Sequence, residues 1–275
     1  MAGLFVLLAV SLTLAALYIT GTIKPPLLAK TLSSCAFAAV AAYALFILPL
    51  FAQGTDFTAA SAAAQGTDFT AASAAAQGTD LAAASAAAQG TDLAARLSPF
   101  RVLIFAGLLA GVAGDILLEI FDKNDRRFFL GVAAFFAGHA LYVAAFFNVD
   151  AAAAPLALLC AFPAAALLTV LSAKLLTFQG ARRLILLGYM FALSFMCAFA
   201  WVILIRQGLA GIAGQHRAAF AMIAPGAILF LVSDTSLGLQ LFGNEKLTRH
   251  SRLLGTICLI TYYLAQNLIA LSTAF

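Results

Sequence analysis

Charge is scarce in this sequence, and the scarcity decides its class. Asp, Glu, Lys and Arg supply 9% of 275 residues, while hydrophobic residues supply 64%. A soluble domain carries about 25% charged residues, and so few charges cannot coat a soluble fold of this size. No alternating strand pattern suggests a barrel. What remains is a chain that satisfies its backbone in lipid as helices. Cysteine is sparse as well. Cys35, Cys160, Cys197 and Cys258 each lie inside an apolar run, which fits neither a disulfide framework nor a zinc ribbon. They read as small core residues. No basic residue precedes the first apolar run, the first being Lys24, so residues 3–20 read as a retained span and not as a cleaved signal. The net charge of +4 is spread over short loops and forms no patch, which argues against nucleic acid as a partner.

Eight apolar runs are long enough to span a bilayer, which takes roughly 20 residues each. They cover residues 3–22, 32–52, 100–120, 128–147, 152–172, 184–205, 218–240 and 253–273. The expected fold is therefore all-α, a polytopic transmembrane helix bundle forming one domain over residues 1–275. The loops orient it. Lys24, Lys30, Lys123, Arg126, Arg127, Lys174, Arg182, Arg183, Lys246, Arg249 and Arg252 all fall in odd-numbered loops. The even loops hold only Arg96, Arg101, Arg206 and Arg217. By the positive-inside rule the odd loops face the cytoplasm and both termini lie on the non-cytoplasmic side. The expected location is the inner (plasma) membrane of a bacterium; the oligomeric state is left open.

Residues 53–97 stand apart as an external insertion between spans two and three. The unit QGTDFTAASAAA fills 53–64 and 65–76, a variant fills 77–88, and a partial copy follows. Stacked repeats use units of roughly 20 residues or more with a buried stripe. These units carry one Phe or Leu each and cannot build a core. They read as a low-complexity segment with short, marginal helix and no chemistry, or as a spacer for a partner.

Polar groups inside spans are costly and need a reason. Asp115 and Glu119 stand in the third span, His139 and Tyr142 in the fourth, Tyr189 in the sixth, Ser233 and Asp234 in the seventh, and Tyr262, Tyr263, Gln266 and Asn267 in the eighth. Counting from the cytoplasmic ends places them in the cytoplasmic half, with none in the external half. Asp115 and Asp234 are the two carboxylates well inside spans. They are either a functional pair or hydrogen-bonding glue between helices. Glu119, at the boundary, reads as solvated, as do His216 and His250 in loops. Lys24, before Pro25 and Pro26, either snorkels or binds a phosphate headgroup. No clustered Cys/His motif is present, so no cofactor or metal is expected.

The segments IKPPLL (23–28), GDILLE (114–119), FFLGVAAFFAGHALY (128–142), LGYMFALSFM (187–196), GAILFLVSDTSLG (226–238) and YYLAQNLI (262–269) occur in order on successive spans. In them the chain resembles the YhhN-like lysoplasmalogenase family of eight-span membrane proteins, over nearly all its length outside 53–97. The resemblance implies hydrolysis of the vinyl ether bond of a lysophospholipid, giving a fatty aldehyde and a glycerophospho-base. It implies a polar site at Asp115, His139, Tyr142, Asp234 and Gln266. Asp115 and Asp234 would be catalytic with His139, while Tyr142, Tyr189, Tyr262, Gln266 and Lys24 would bind a lipid entering from the cytoplasmic leaflet. Such chemistry needs a carboxylic acid that keeps its proton near neutral pH, and burial in a low dielectric beside a second carboxylate favours that form. The rival readings are an ion- or proton-coupled transporter and a non-catalytic lipid-binding protein. Against transport, no inverted repeat or broken helix pair is evident.

The orientation is open to direct measurement. On intact cells a membrane-impermeant maleimide should label a cysteine placed at Ser73 and spare one placed at Asn124. The reverse pattern would turn the bundle over.

Overall fold

The computed structural model describes residues 1–22, 26–48, 98–121, 126–177, 181–209 and 216–275. Lys24 and the repeat segment lie outside the described residues. Eight long helices make up the fold: α1 (Ala2–Ile19), α2 (Pro26–Ala42), α3 (Pro99–Ile120), α4 (Phe128–Asp150), α5 (Ala154–Leu175), α6 (Ala181–Leu209), α7 (Arg217–Phe242) and α8 (Ser251–Ser272). The described residues contain no strand beyond one isolated bridge between Leu176 and Gly243.

Local sequence explains the helix ends. Gly21 takes a left-handed φ of 70°. There Thr22 N–H bonds the Leu17 carbonyl and Gly21 N–H the Tyr18 carbonyl, closing α1 in the paired pattern that a glycine after the helix permits. Pro26 and Pro99 each open a helix, where the missing N–H costs nothing. That proline start corrects the expected second span. The apolar count began it at residue 32, but the helix begins at Pro26, so Lys30 stands inside α2 rather than in a loop. Past Ala42 the helix widens into a π-helical turn, Tyr43–Ile47.

Seven described segments are long and apolar enough to cross a membrane, and one of these, Phe128–Leu175, has 48 residues. At 1.5 Å per residue a straight helix of that length would be more than twice a bilayer core. Instead it folds back at a short 3₁₀ turn, Ala151–Ala153. Phe128 at its start packs on Phe242 with centroids 6.2 Å apart. At its end Asn244 N–H bonds the Leu175 carbonyl at 2.8 Å. Both ends therefore meet the end of α7, and the segment makes two crossings. The described helices thus make eight crossings, alternating in direction, so that the start of α1 and the end of α8 share one end. The other end carries the described loop and helix-end residues Arg126, Arg127, Lys174, Arg183, Lys246, Arg249 and Arg252, with Lys30 one turn inside α2, and is called the basic end below. The assignment of this end to the cytoplasm rests on those charges.

Packing follows the rules of a lipid solvent. α7 packs most extensively on α8, and α3 on α4. Buried faces are small: α5 turns Ala157, Ala161 and Ala165 inward while Leu159 and Leu167 stay 67% and 60% exposed. Small residues let helices approach closely, and large apolar ones face the acyl chains. The expectation that all four cysteines are core residues is corrected accordingly. Cys197 and Cys258 are buried, but Cys35 and Cys160 are exposed on outward faces where lipid, not protein, accepts them. His216 is likewise not a solvated loop residue: its ring lies 4.8 Å from that of Phe100, and burial, then the Arg101 charge, hold its imidazole below the usual value. His250 is exposed, as expected.

α3 and α4 approach closely at a pair of glycines. A Cβ on Gly138 would sit 3.0 Å from the Gly107 carbonyl, and one on Gly107 would overlap the Tyr142 ring. Gly107→Ala should therefore cost roughly 1–3 kcal/mol, read as a lower melting temperature. Gly188→Ala, whose new Cβ would meet nothing within 4 Å, should leave melting unchanged or slightly raised. Equal melting of the two variants would contradict the close approach.

Candidate active site

Asp115 stands on α3 little more than a turn from its basic end and is 3% exposed. A buried carboxylate needs donors, and the neighbouring helices supply them. Ser34 Oγ on α2 donates to Asp115 Oδ2 at 2.5 Å, and Tyr262 OH on α8 donates to the same oxygen at 2.6 Å. The Tyr262 oxygen accepts from Gln266 Nε2 at 3.2 Å, and Tyr142 OH donates to Gln266 Oε1 at 3.3 Å. At the other end of this chain Lys30 Nζ lies 3.7 Å from Asp115 Oδ1 and 3.6 Å from Glu119 Oε2. One connected set thus runs from the basic rim to Tyr142, which packs on Gly107, nearer the opposite end of α3.

A second set surrounds Asp234 on α7. Tyr189 OH on α6 donates to Asp234 Oδ2. His139 Nε2 on α4 lies 3.0 Å from the Tyr189 oxygen and 3.8 Å from Asp234. The phenol has one hydrogen and spends it on Asp234, so Nε2 must supply the hydrogen in its own bond to Tyr189. In a neutral ring Nδ1 then carries the lone pair, and that buried atom has no partner among the described residues. Beside Asp234, Ser233 Oγ is 3.5 Å from Cys258 Sγ.

An aromatic wedge separates the two sets. The Phe230 ring stands 4.7 Å from His139 and 5.5 Å from Tyr262, both nearly edge-on, and Phe135 closes on Phe230 and Tyr262. No hydrogen bond crosses this wedge among the described residues, so each carboxylate has its own donors.

Both carboxylates reach one cavity of about 710 Å³, within the range of small-molecule sites, about 300–1,000 Å³. Lys30, Glu119, Tyr18, Tyr189, Tyr262 and Cys258 share its wall, and leucines of α5, α6 and α7, among them Leu168, Leu171, Leu186 and Leu237, supply much of the rest. Of the residues expected from sequence, Asp115, Asp234, Tyr189 and Tyr262 line this cavity. His139, Tyr142 and Gln266 stand behind the wall and reach it through Tyr189 and Tyr262. Among the described residues no three His, Cys, Asp or Glu side chains gather as a metal-ligand set.

Three expectations need correction. Glu119 is not simply solvated: its side chain is 27% exposed and pairs with Lys30. The polar residues are not confined to one half of their helices, since Tyr142 and Gln266, which are linked, both stand past the middle of α4 and α8 from the basic end. Lys30 and Ser34 were missed as site residues, although their i, i+4 spacing puts both on one face of α2; the signal was hidden by starting the span two residues too late for Lys30.

If Tyr262 and Gln266 act as one unit, their losses should not add. Tyr262→Phe and Gln266→Leu, alone and together, should show a coupling of roughly 0.5–3 kcal/mol in thermal stability. Strictly additive losses would break the chain at that link.

The family model of the YhhN family matches residues 77–273. The match spans the site on α3 to α8 and leaves out α1 and α2. No curated protein and no solved structure matches the chain.

Proposed function

The chain belongs to the YhhN family, and we propose from that premise that it is a membrane-embedded hydrolase cleaving the vinyl ether bond of a lysoplasmalogen-like lysophospholipid. The observation that carries this reading is the placing of two carboxylates, Asp115 and Asp234, on one leucine-rich cavity. An apolar wall suits a single acyl chain, while paired carboxylates suit acid–base chemistry on the bond that joins the chain to glycerol.

The reaction adds water across the ether: R–CH=CH–O–R′ and H₂O give R–CH₂–CHO and R′–OH. One carboxylic acid protonates the outer alkene carbon: the π pair forms the new C–H bond, and the carbon attached to oxygen, left electron-deficient, becomes an oxocarbenium ion by sharing a lone pair of the ether oxygen. The second carboxylate, negatively charged, stabilises that cation and removes a proton from the attacking water. The resulting hemiacetal collapses to aldehyde and alcohol. Tyr189 and Tyr262, each donating to one aspartate, orient the two carboxyl groups. His139 and Gln266 act behind them, fixing which way each phenol donates. The leucine-rich wall lowers the local dielectric, which strengthens charge interactions at the carboxylates.

Asp115→Asn and Asp234→Asn should each lower aldehyde release roughly 10²–10⁴-fold. The double variant should be scarcely worse than either single one, because the groups act as a unit. Asn keeps the shape of a helix-bridging side chain, so a purely structural role predicts activity that tracks melting temperature. Near-wild-type turnover in either variant would remove that residue from the mechanism.

A further inference from the structure

One charged pair on the cavity wall has no part in the proposed chemistry. Among the described lining residues Lys30 is the lone cation. Its ammonium lies 3.6 Å from Glu119 and 3.7 Å from Asp115, beyond ordinary hydrogen-bond length from both. Its side chain is only 13% exposed. A strongly hydrated ammonium so placed has donors to offer a better acceptor.

The order of groups along the wall is informative. Glu119 is the penultimate residue of α3, and Lys30 stands about one turn from the start of α2, both at the basic end. Asp115 lies one turn deeper than Glu119. The leucines of α5 and α6 complete the wall. A single-chain phospholipid with an amine headgroup presents groups in the same order: ammonium, phosphate, glycerol ether, hydrocarbon chain.

We propose that Lys30 and Glu119 form a dipolar headgroup subsite, in which Lys30 binds the lipid phosphate and Glu119 the headgroup ammonium. This rests on the cavity being the site of an ether lysophospholipid. When the phosphate takes Lys30, Glu119 loses its counter-ion, and a headgroup ammonium restores one. A phosphoglycerol headgroup cannot do so and leaves Glu119 facing a phosphate. Selection of zwitterionic over anionic lipids is thus built from one attraction and one repulsion.

Binding of non-cleavable lipids by the purified full chain in detergent tests the subsite without turnover. The probes are 1-O-alkyl lysolipids bearing phosphoethanolamine, phosphoglycerol or no phosphate, with dissociation constants from native mass spectrometry. The wild type should prefer phosphoethanolamine over phosphoglycerol about 10-fold, the order of one charge-assisted contact. Glu119→Gln should bring that ratio to about one, by weakening the ethanolamine lipid and tightening the phosphoglycerol lipid. Lys30→Met should erase the advantage of both phospholipids over the phosphate-free lipid, and Lys30→Arg should keep it. An unchanged ratio in Glu119→Gln overturns the proposal, as does equal weakening of all three lipids in Lys30→Met. Should Lys30→Met fail to fold, the Glu119→Gln ratio alone decides. Aldehyde release from the matching 1-O-alkenyl lipid is measured alongside. No aldehyde with an intact ratio would sink the vinyl ether reading and not the subsite; aldehyde with a flat ratio would sink the subsite alone.

Discussion

Everything at the centre of this bundle depends on the absence of water from its surroundings. In hydrocarbon an unpaired polar group costs several kcal/mol, so each carboxylate must be met by donors from other helices. Asp115 is met from α2 and α8, and Asp234 from α6. These bonds tie together helices far apart in sequence. The same constraint explains the small residues on buried faces: donors reach a carboxylate only if the helices approach closely, and Gly107 and Gly138 let α3 and α4 do so.

The two hydrogen-bonded sets differ in a way that suits divided roles. Asp115 collects two hydroxyl donors on one oxygen and has an ammonium near the other. Asp234 has a single phenol donor with an imidazole behind it. Phe230 and Phe135 keep the sets from merging. The aromatic wedge leaves each carboxyl group with its own hydrogen-bond donors beside the same cavity.

The cavity itself is amphipathic in the sense that a lipid is. Charged residues of α2 and α3 stand at the basic end, and leucines of α5, α6 and α7 make up much of the wall. Tyr18, Lys30 and Tyr262 bring α1, α2 and α8 to the same space. The site is thus assembled by all eight helices and belongs to none of them.

Composition alone determined that the chain is a helical membrane bundle, because 9% charge leaves no other way to solvate the surface, and hydropathy located the eight crossings, although it began the second one six residues late. Asp115, Asp234, Tyr189 and Tyr262 were legible as site residues because a polar side chain in a span is expensive wherever it points. Other features were decided only in three dimensions. Hydropathy treats a lysine near a span end as loop, so Lys30 went unseen until the proline-started helix placed it, one turn before Ser34, beside Asp115 of α3. Depth along a helix, read from sequence, says nothing about azimuth, so it could not separate Tyr189 and Tyr262 on the cavity wall from His139, Tyr142 and Gln266 behind it. Which groups line the cavity and which stand behind its wall depends on how each helix is rotated about its axis. That rotation is set by close contacts such as Gly107 against Tyr142, made between residues remote in the chain.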